Sequence, residues 1–159
     1  VHGGPRFDRP VVVDDEVATA LEDLDELAPL HNPPARELIG ALRAALDDRP
    51  VVACFDTAFH RTLPDAAATY AVPWSWTSDL GVRRYGFHGL SHQWAAKTAA
   101  TMVGGGVDDL RIVTAHLGAG ASLAAVRGGR SLAMSTAIQG RGMDAMRMAR
   151  EIRPLCQML

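Results

Sequence analysis

Residues 111–130 read RIVTAHLGAGASLAAVRGGR, and this stretch decides what kind of fold the chain can adopt. Two short apolar runs, 111–116 and 121–127, flank a turn that contains two glycines. A second glycine pair lies in GGR at 128–130 and is typical of a hairpin turn. Apolar runs of this length, bounded by glycine turns, predict two β-strands on either side of the first turn.

The segments before this hairpin alternate between strand and helix patterns. PVVV at 10–13 and VVACF at 51–55 are predicted strands, and we expect the second, which is nearly all apolar, to be covered on both faces. Asp14 is a predicted cap for the helix that follows the first strand. Residues 34–46, with leucines at every fourth position, and 92–103, with a serine cap before them, are predicted helices. This alternation indicates the α/β class.

The composition excludes several classes of protein. The chain has 159 residues, so we expect one domain. A net charge of −2 and an aromatic content of 6% do not provide the basic, aromatic-rich surface that binds nucleic acid, and no apolar run is long enough to span a membrane. Cys54 and Cys156 have no metal-binding spacing. We therefore expect a cytoplasmic protein with neither nucleic acid nor membrane as a partner.

The first glycine turn has two possible functions. Gly118 and Gly120 can adopt positive φ and let backbone N–H groups approach an anion closely, as phosphate-binding nests do. A hairpin between two strands uses such glycines without any ligand, and two glycines alone do not separate the two functions. From this turn alone, the plain hairpin is favoured.

Several side chains with catalytic chemistry lie in loops. Asp56 ends a predicted buried strand and can orient a substrate or accept a proton, or simply cap a turn. His88, flanked by glycines in GFHG, can donate a hydrogen bond to a charged transition state, or it can be a structural histidine. His31 is presented by a proline-rich loop that is equally compatible with packing. His92 lies four residues beyond His88, but no third ligand has a matching spacing, so no metal site is predicted.

Five motifs together resemble one family. They are, in order, VHGG (1–4), LAPLHNPP (27–34), FDTAFHRTLP (55–64), RRYGFHGLSH (83–92) and HLGAGASLAAVRGGRS (116–131). Their succession resembles the acetate/propionate/butyrate kinase family of the sugar kinase/Hsc70/actin superfamily. The resemblance covers roughly residues 1–131. It implies part of an actin-like (ribonuclease H-like) ATPase fold, with a mixed sheet, flanking helices and an incomplete set of lobes.

The resemblance also implies an activity and residue roles. It implies reversible phosphoryl transfer from ATP to acetate, giving acetyl phosphate and ADP, with Mg²⁺ and a homodimeric assembly. Asp56 falls on the family's active-site aspartate, His88 on the histidine that stabilises the transferred phosphoryl group, and His31 on a further active-site histidine. The loop that binds the ATP phosphates falls on His116, Leu117, Gly118, Ala119 and Gly120.

Three departures from the family pattern qualify these expectations. Ala119 stands where the family has asparagine in HLGNG, so a side-chain amide that can bond phosphate is replaced while the backbone turn is kept. The family's substrate-binding arginine and first phosphate loop would precede residue 1, and its adenosine site would follow the chain. After Ser131 the pattern is lost, and we expect 132–159 to be a divergent tail, with a shift of reading frame as the hypothesis.

These departures leave two functional hypotheses. The first is an acetate kinase, here truncated. The second is a catalytically inactive remnant that acts at most as a partial nucleotide-binding or partner-binding domain. We expect the isolated chain to form no acetyl phosphate.

Overall fold

The structure of the chain, a computed structural model, describes residues 1–46, 49–135, 138–139, 150 and 153–159. These residues divide into two units, Val1–Ala58 and Phe59–Leu159. The first unit contains β1 (Val11–Val12), α1 (Asp15–Glu22), α2 (Asn32–Ala45) and β2 (Val52–Ala53). The second contains α3 (Asp65–Ala68), α4 (Trp74–Leu80), α5 (Gly89–Met102), β3 (Arg111–Leu117), β4 (Gly120–Arg127), β5 (Arg130–Met134) and β6 (Ile138–Gln139).

In the first unit, local signals place both helices close to where the sequence predicts them. The Asp14 carboxylate accepts a hydrogen bond from the Val17 N–H at 2.8 Å, which confirms Asp14 as the cap of α1. Helix α2 begins with prolines in its first turn, as their fixed φ and missing N–H favour. The leucines at every fourth position of this helix do not form a core: in the described residues, Leu38 is 60% exposed.

The core of the first unit forms where α1 meets the two short strands. Strands β1 and β2 pair antiparallel, and the rings of Phe7 and Phe55 stack with centroids 4.6 Å apart. The expectation that 51–55 is covered on both faces is wrong. Ala53 and Phe55 are buried, but Val52 is 50% exposed, because a two-stranded ribbon has one face turned to solvent. The buried residues of this core are Phe7, Val13, Ala20, Leu21, Leu24, Ala53 and Phe55.

The second unit is organised around the predicted hairpin. Strands β3 and β4 confirm the two predicted runs and pair antiparallel, with His116 opposite Ser122. Strand β5 extends the sheet on the other side of β4, and β6 also pairs with β4. The turn between β4 and β5 contains Gly128 and Gly129 at φ values of 57° and 69°. Two successive residues at positive φ are what a tight hairpin of this type requires, so the prediction of a turn at 128–130 is confirmed.

The sheet differs in one respect from the expected mixed sheet. Every strand pair in the described part of the chain is antiparallel. Strand β4 is nevertheless buried on both faces over most of its length. Ala124 and Val126 pack on one face with Ala96 of α5, while Leu123 and Ala125 pack on the other face with Leu155. The small side chains of β4 let packed elements approach both faces closely.

Helix α5 begins earlier than the sequence predicts. It starts at Gly89, and His88 occupies the position before it in the left-handed conformation, with φ 57° and ψ 25°. Ser91 is therefore inside the first turn and is not the cap. The buried face of the helix carries His92, Ala96 and Ala100, spaced four residues apart, and α5 packs against β3. This packing brings the start of α5 to the β3–β4 hairpin.

Candidate active site

The β3–β4 turn is formed by Gly118, Ala119 and Gly120 between the paired residues Leu117 and Ala121, and Gly120 is also the first residue of β4. The Gly118 N–H donates to the Gly120 carbonyl at 3.0 Å, which closes the turn. Neither glycine has a positive φ, so the expectation that they are needed for that conformation is wrong. Ala119 is exposed at the tip of the turn.

The space beside the turn is tight at Gly118 and ordinary at Gly120. A Cβ on Gly118 would lie 3.0 Å from Nε2 of His116, and a Cβ on Gly120 would lie 3.4 Å from Cε1 and Nε2 of His88. The first distance is shorter than ordinary van der Waals contact and the second is at its lower limit. Glycine therefore allows two imidazole edges to lie against the backbone of the turn.

The two imidazoles that border the turn form a stacked pair. The ring centroids of His88 and His116 are 4.0 Å apart, with an angle of 13° between the ring planes. Both side chains are half-buried. His88 is the only non-glycine residue at positive φ among the described residues. Such a conformation costs about 1–3 kcal/mol and persists where the surroundings impose it, often at functional sites.

Each ring of the stack is anchored through its Nδ1 atom. Nδ1 of His88 lies 2.8 Å from the hydroxyl oxygen of Ser122, and Nδ1 of His116 lies 2.9 Å from that of Ser91. Because the two nitrogens of an imidazole lie on different edges of the ring, these anchors turn the Nε2 edges towards the glycine turn. The arrangement can present N–H donors to an anion at that turn.

A buried layer of polar side chains supports this pair. His92 is almost fully buried and bridges two hydroxyls, with Nδ1 2.7 Å from Thr114 and Nε2 2.8 Å from Ser122. His60 packs edge-on against His92, with ring centroids 5.6 Å apart. Its own Nδ1 lies 2.8 Å from the Ser131 hydroxyl. Four of the six histidines of the chain are therefore connected at one end of the hairpin.

The other two candidate residues lie in the first unit. Asp56 follows β2, is half-buried, and its backbone N–H donates to the Val1 carbonyl at 2.9 Å. His31 is exposed and immediately precedes α2, and its carbonyl accepts a bond from the Ala35 N–H. Its neighbour Asn32 is fully buried and connects this loop to the backbone of His2 and Leu24. The hydrogen bonds of Asn32 therefore hold in place the segment that presents His31.

The surroundings of His2 in the first unit shift its pKa. Burial lowers the pKa of His2 below its ordinary value, and the positive amino group of Val1 lowers it further, while the negative charge of Asp56 opposes both. Nδ1 of His2 accepts a hydrogen bond from the Gly4 N–H at 2.9 Å. A nitrogen that accepts a bond carries no proton, so this contact is compatible only with the neutral ring whose proton is on Nε2.

The residues that the sequence missed are those of the buried layer. The sequence suggested only a metal-ligand role for His92 and only a capping role for Ser91. It suggested no role for Ser122, Thr114 or His60. Their partners are 22 to 71 residues away in sequence, so no local pattern shows them. In the ranges that the structure describes, no three His, Cys, Asp or Glu side chains are placed to hold a metal ion. No helix in those ranges is long and apolar enough to cross a membrane.

The comparisons with known proteins all indicate the same family. Residues 1–144 match the Acetokinase family, so the match extends beyond Ser131, and the division of the chain at residue 131 stays a prediction. Acetate kinases of Staphylococcus epidermidis and Deinococcus deserti are 50% and 54% identical to it over 132 residues, which are 83% of this chain. The chain spans about a third of the length of these curated relatives.

Solved structures agree with the sequence matches. The acetate kinase of Porphyromonas gingivalis superposes with a TM-score of 0.81 at 35% identity, over 96% of this chain and 41% of that one. A propionate kinase from Francisella tularensis also gives 0.81, at 32% identity, over 98% of this chain and 43% of that one. The expected α/β fold, part of the actin-like kinase architecture, is thereby confirmed. The chain belongs to the acetokinase family.

Proposed function

We propose that this chain carries part of a kinase active site that transfers a phosphoryl group reversibly between ATP and acetate or another short-chain carboxylate. The observation that carries the proposal is the stacked pair of His88 and His116, whose Nε2 edges lie against the Gly118–Gly120 turn. Membership of the acetokinase family and the kinase names of its relatives support the same reaction class.

The turn has donors of the kind that bind phosphate. Backbone amides and imidazole N–H groups are donors to phosphate oxygens. The Gly118 N–H closes the turn onto the Gly120 carbonyl, so the donors proposed for the phosphate are the imidazoles and the remaining amides of the turn. ATP would be held at this turn through its phosphates by His88, His116 and the turn backbone. When bound, it supplies the phosphoryl group, and Mg²⁺ neutralises part of the phosphate charge.

The proposed roles of the individual residues follow from their chemistry. Phosphoryl transfer depends mainly on positioning and on stabilising charge on the equatorial oxygens. His88 donates an N–H from Nε2 to such an oxygen, and its fixed backbone conformation holds that donor in place. Asp56 orients the carboxylate acceptor through its surrounding water or metal, and His31 is a further contact to the reacting groups.

We propose no Mg²⁺ site that is built from protein side chains alone. Protein-bound Mg²⁺ commonly uses one or two carboxylates together with substrate phosphates. Asp56 is the carboxylate of this chain proposed to contact it or its water.

A chimera tests the proposal in a complete enzyme. Residues 1–131 of this chain replace the matching segment of the Porphyromonas gingivalis acetate kinase, and acetyl phosphate formed from ATP, Mg²⁺ and acetate is trapped as hydroxamate. We expect activity, and we expect His88→Ala in the same chimera to lower kcat about 10²–10³-fold, as the loss of a transition-state donor does. A folded chimera without activity, or a His88→Ala variant with full activity, would overturn the proposal.

A second experiment does not depend on the chimera folding. The isolated chain is labelled with ¹⁵N and titrated with inorganic phosphate, and we expect shifts at the amides of Gly118 and Gly120. Absence of any shift at this turn would contradict the proposed phosphate site. For the isolated chain itself we expect no acetyl phosphate, since it spans about a third of the length of its relatives. Turnover by the isolated chain would show that it needs no further lobe.

A further inference from the structure

A cleft lies beside the turn that joins β4 and β5, within the second unit. Its volume is about 780 Å³, which is in the range of sites that hold small molecules. One wall is the segment between the loop at residue 61 and the start of α3, and the other is the β4–β5 hairpin. Three of the residues that line the cleft are arginines. The lining residues are Arg61, Thr62, Leu63, Pro64, Asp65, Arg127, Gly128, Arg130 and Leu132.

Two of these arginines are placed side by side by the register of the sheet. Arg127 in β4 is directly opposite Arg130 in β5, and on its other side it is directly opposite Arg111 in β3. Directly opposite residues of an antiparallel pair point to the same face, with Cβ atoms roughly 5 Å apart. Three positive side chains thus leave the sheet in one row. Because like charges in such positions repel each other, an anion that binds to the row would be stabilising.

The hairpin that carries Arg127 and Arg130 is held in place. Its turn residues Gly128 and Gly129 have positive φ, as a tight turn requires. The Gly128 N–H donates to the Leu110 carbonyl at 3.1 Å, which ties the turn to the segment before β3. A fixed hairpin loses little conformational entropy when a ligand binds to it.

The opposite wall of the cleft is also fixed. The hydroxyl of Thr62, next to Arg61, donates to the Ser131 carbonyl of β5 at 2.9 Å. Leu63 is buried in the core that contains Ala124 and Val126 of β4. Arg61 is therefore presented from a segment that is attached to the same sheet as the other two arginines.

The charges of the cleft are left without neutralising partners in the described part of the chain. None of the three lining arginines forms an ion pair with another described residue. Asp65 lines the cleft, and the Asp108 carboxylate is near the turn, where a Cβ on Gly129 would lie 3.5 Å from its Oδ1. All three arginines are exposed, so their guanidinium donors are open to a ligand. These planar donors match the oxygens of carboxylates and phosphates.

We propose that this cleft binds a small anion that carries two or more phosphate or carboxylate groups. One anionic group bonds to the guanidinium groups of Arg127 and Arg130, and a second bonds to that of Arg61, across the cleft. A monovalent anion cannot satisfy both walls at once. Leu63 and Leu132 give the cleft an apolar part that suits the carbon skeleton of an organic ligand.

The cleft and the Gly118–Gly120 turn are at opposite ends of β4. Gly120 begins this strand and Arg127 ends it. At about 3.3 Å per residue, the two ends are roughly 20 Å apart. The lining residues of the cleft include none of the turn, so the inference does not depend on the proposed function.

Titration of the ¹⁵N-labelled chain with pyrophosphate at constant ionic strength tests the proposal without any substitution. We expect saturable shifts at the amides of Gly128 and Leu132, and weaker binding of inorganic phosphate at the same amides. We expect propane-1,2,3-tricarboxylate to bind there too; a response to only one of the two polyvalent anions would support the cleft and identify the group that it prefers. No response to either, or equal affinities for pyrophosphate and phosphate, would overturn the proposal.

Two arginine variants separate a built site from general electrostatic attraction. Arg127→Gln and Arg111→Gln remove the same charge from neighbouring positions of one row, but Arg111 does not line the cleft. We expect Arg127→Gln to weaken pyrophosphate binding about 10-fold or more, because a charge-assisted contact is lost. We expect Arg111→Gln to weaken it by less than about threefold, because solvent and salt screen a charge outside the cleft. Equal losses in the two variants would mean that the anion responds only to overall charge, and would overturn the proposal.

The same spectra distinguish failure of this inference from failure of the proposed function. Shifts at Gly118 and Gly120 without shifts at Gly128 and Leu132 would overturn the cleft alone. Shifts at the cleft amides without a response at the Gly118–Gly120 turn would support the cleft and contradict the phosphate site proposed at that turn.

Discussion

The rings of His88 and His116 are stacked with centroids 4.0 Å apart, although His88 precedes a helix and His116 lies in a strand, one residue before its end. We predict that His116→Ala lowers the free energy of unfolding of the second unit by about 1 kcal/mol, because the stack is lost. The same variant should weaken binding of inorganic phosphate. Tryptophan fluorescence in urea can follow the unfolding, since all three tryptophans lie in this unit.

His116→Phe is the control for this prediction. It keeps an aromatic ring over His88 but has no nitrogen to bond Ser91 or an anion. We expect near-normal stability with weakened phosphate binding. Phosphate binding that survives in His116→Phe would show that the ring acts in stacking only.

The exposed Ala119 at the tip of the turn is the next target. We predict that Ala119→Asn strengthens phosphate binding by about 1–3 kcal/mol, because an amide donor is added beside the turn backbone. Stability should change by less than about 0.5 kcal/mol, since the site is a surface position. Calorimetric titration with phosphate measures the gain.

Ala119→Asp provides a control of nearly the same size. Its carboxylate repels an anion, so we expect phosphate binding to weaken instead. Equal affinities for the Asn and Asp variants would mean that no anion lies next to residue 119.

Among the described glycines of the second unit, Gly86 is predicted to be the least replaceable. It has φ 83°, and an added Cβ would collide with the Met134 sulfur and lie 2.7 Å from the His60 ring. We expect Gly86→Ala to lower the free energy of unfolding by about 2–4 kcal/mol, from backbone strain and overpacking together. Urea denaturation followed by tryptophan fluorescence measures the loss.

Gly40 in α2 is the matched comparison for Gly86. An added Cβ would meet nothing within 4 Å, and its backbone is helical. We expect Gly40→Ala to stabilise the first unit by about 0.5–1 kcal/mol, because alanine favours the helix. A destabilising Gly40→Ala would mean that this face of α2 packs against something.

The pKa of His2 predicts how the first unit responds to pH. Burial lowers this pKa in the folded state, so between the folded and unfolded values the unfolded chain binds more protons. The free energy of unfolding is therefore highest above the unfolded value near 6.5 and falls as the pH drops through the folded value. Methyl signals of Leu21 and Leu24 during urea denaturation at neutral and acidic pH report this unit.

His2→Asn isolates the contribution of His2. Asparagine offers the Gly4 N–H an acceptor but does not titrate. We expect the pH dependence between pH 7 and 5 to be shallower in this variant. The same slope in both proteins would assign it to carboxylates of the unit.

Sequence patterns predicted the secondary structure correctly where the residues that determine it are close together in the sequence. Asp14 caps α1 through a residue three positions away, and Gly128 and Gly129 form a turn by their own φ values. Both features were predicted. The start of α5 was predicted too late, because Ser91 resembles a cap. The residue before the helix is His88, three positions earlier, and its conformation is imposed by partners that are distant in sequence.

The sequence named residues of the candidate site, whose roles stay a prediction, but it did not show how they are arranged. His88 and the turn were identified, and the structure brings them together. Gly118 and Gly120 were expected to adopt positive φ, but neither does. Gly118 instead leaves room for the imidazole of His116, and Gly120 lies against that of His88. Ser122 drew no attention because nothing in an apolar strand indicates that one serine faces two histidines.

The pairing of His116 with Ser122 across the hairpin has a consequence for how this segment can vary in evolution. Adding or deleting one residue in the three-residue turn would shift β4 against β3 by one position. Ser122 would then point to the face that Leu123 now occupies, and neither imidazole could reach it. We therefore expect homologous sequences to vary at the exposed tip of the turn, where Ala119 lies, and to conserve the length of the turn.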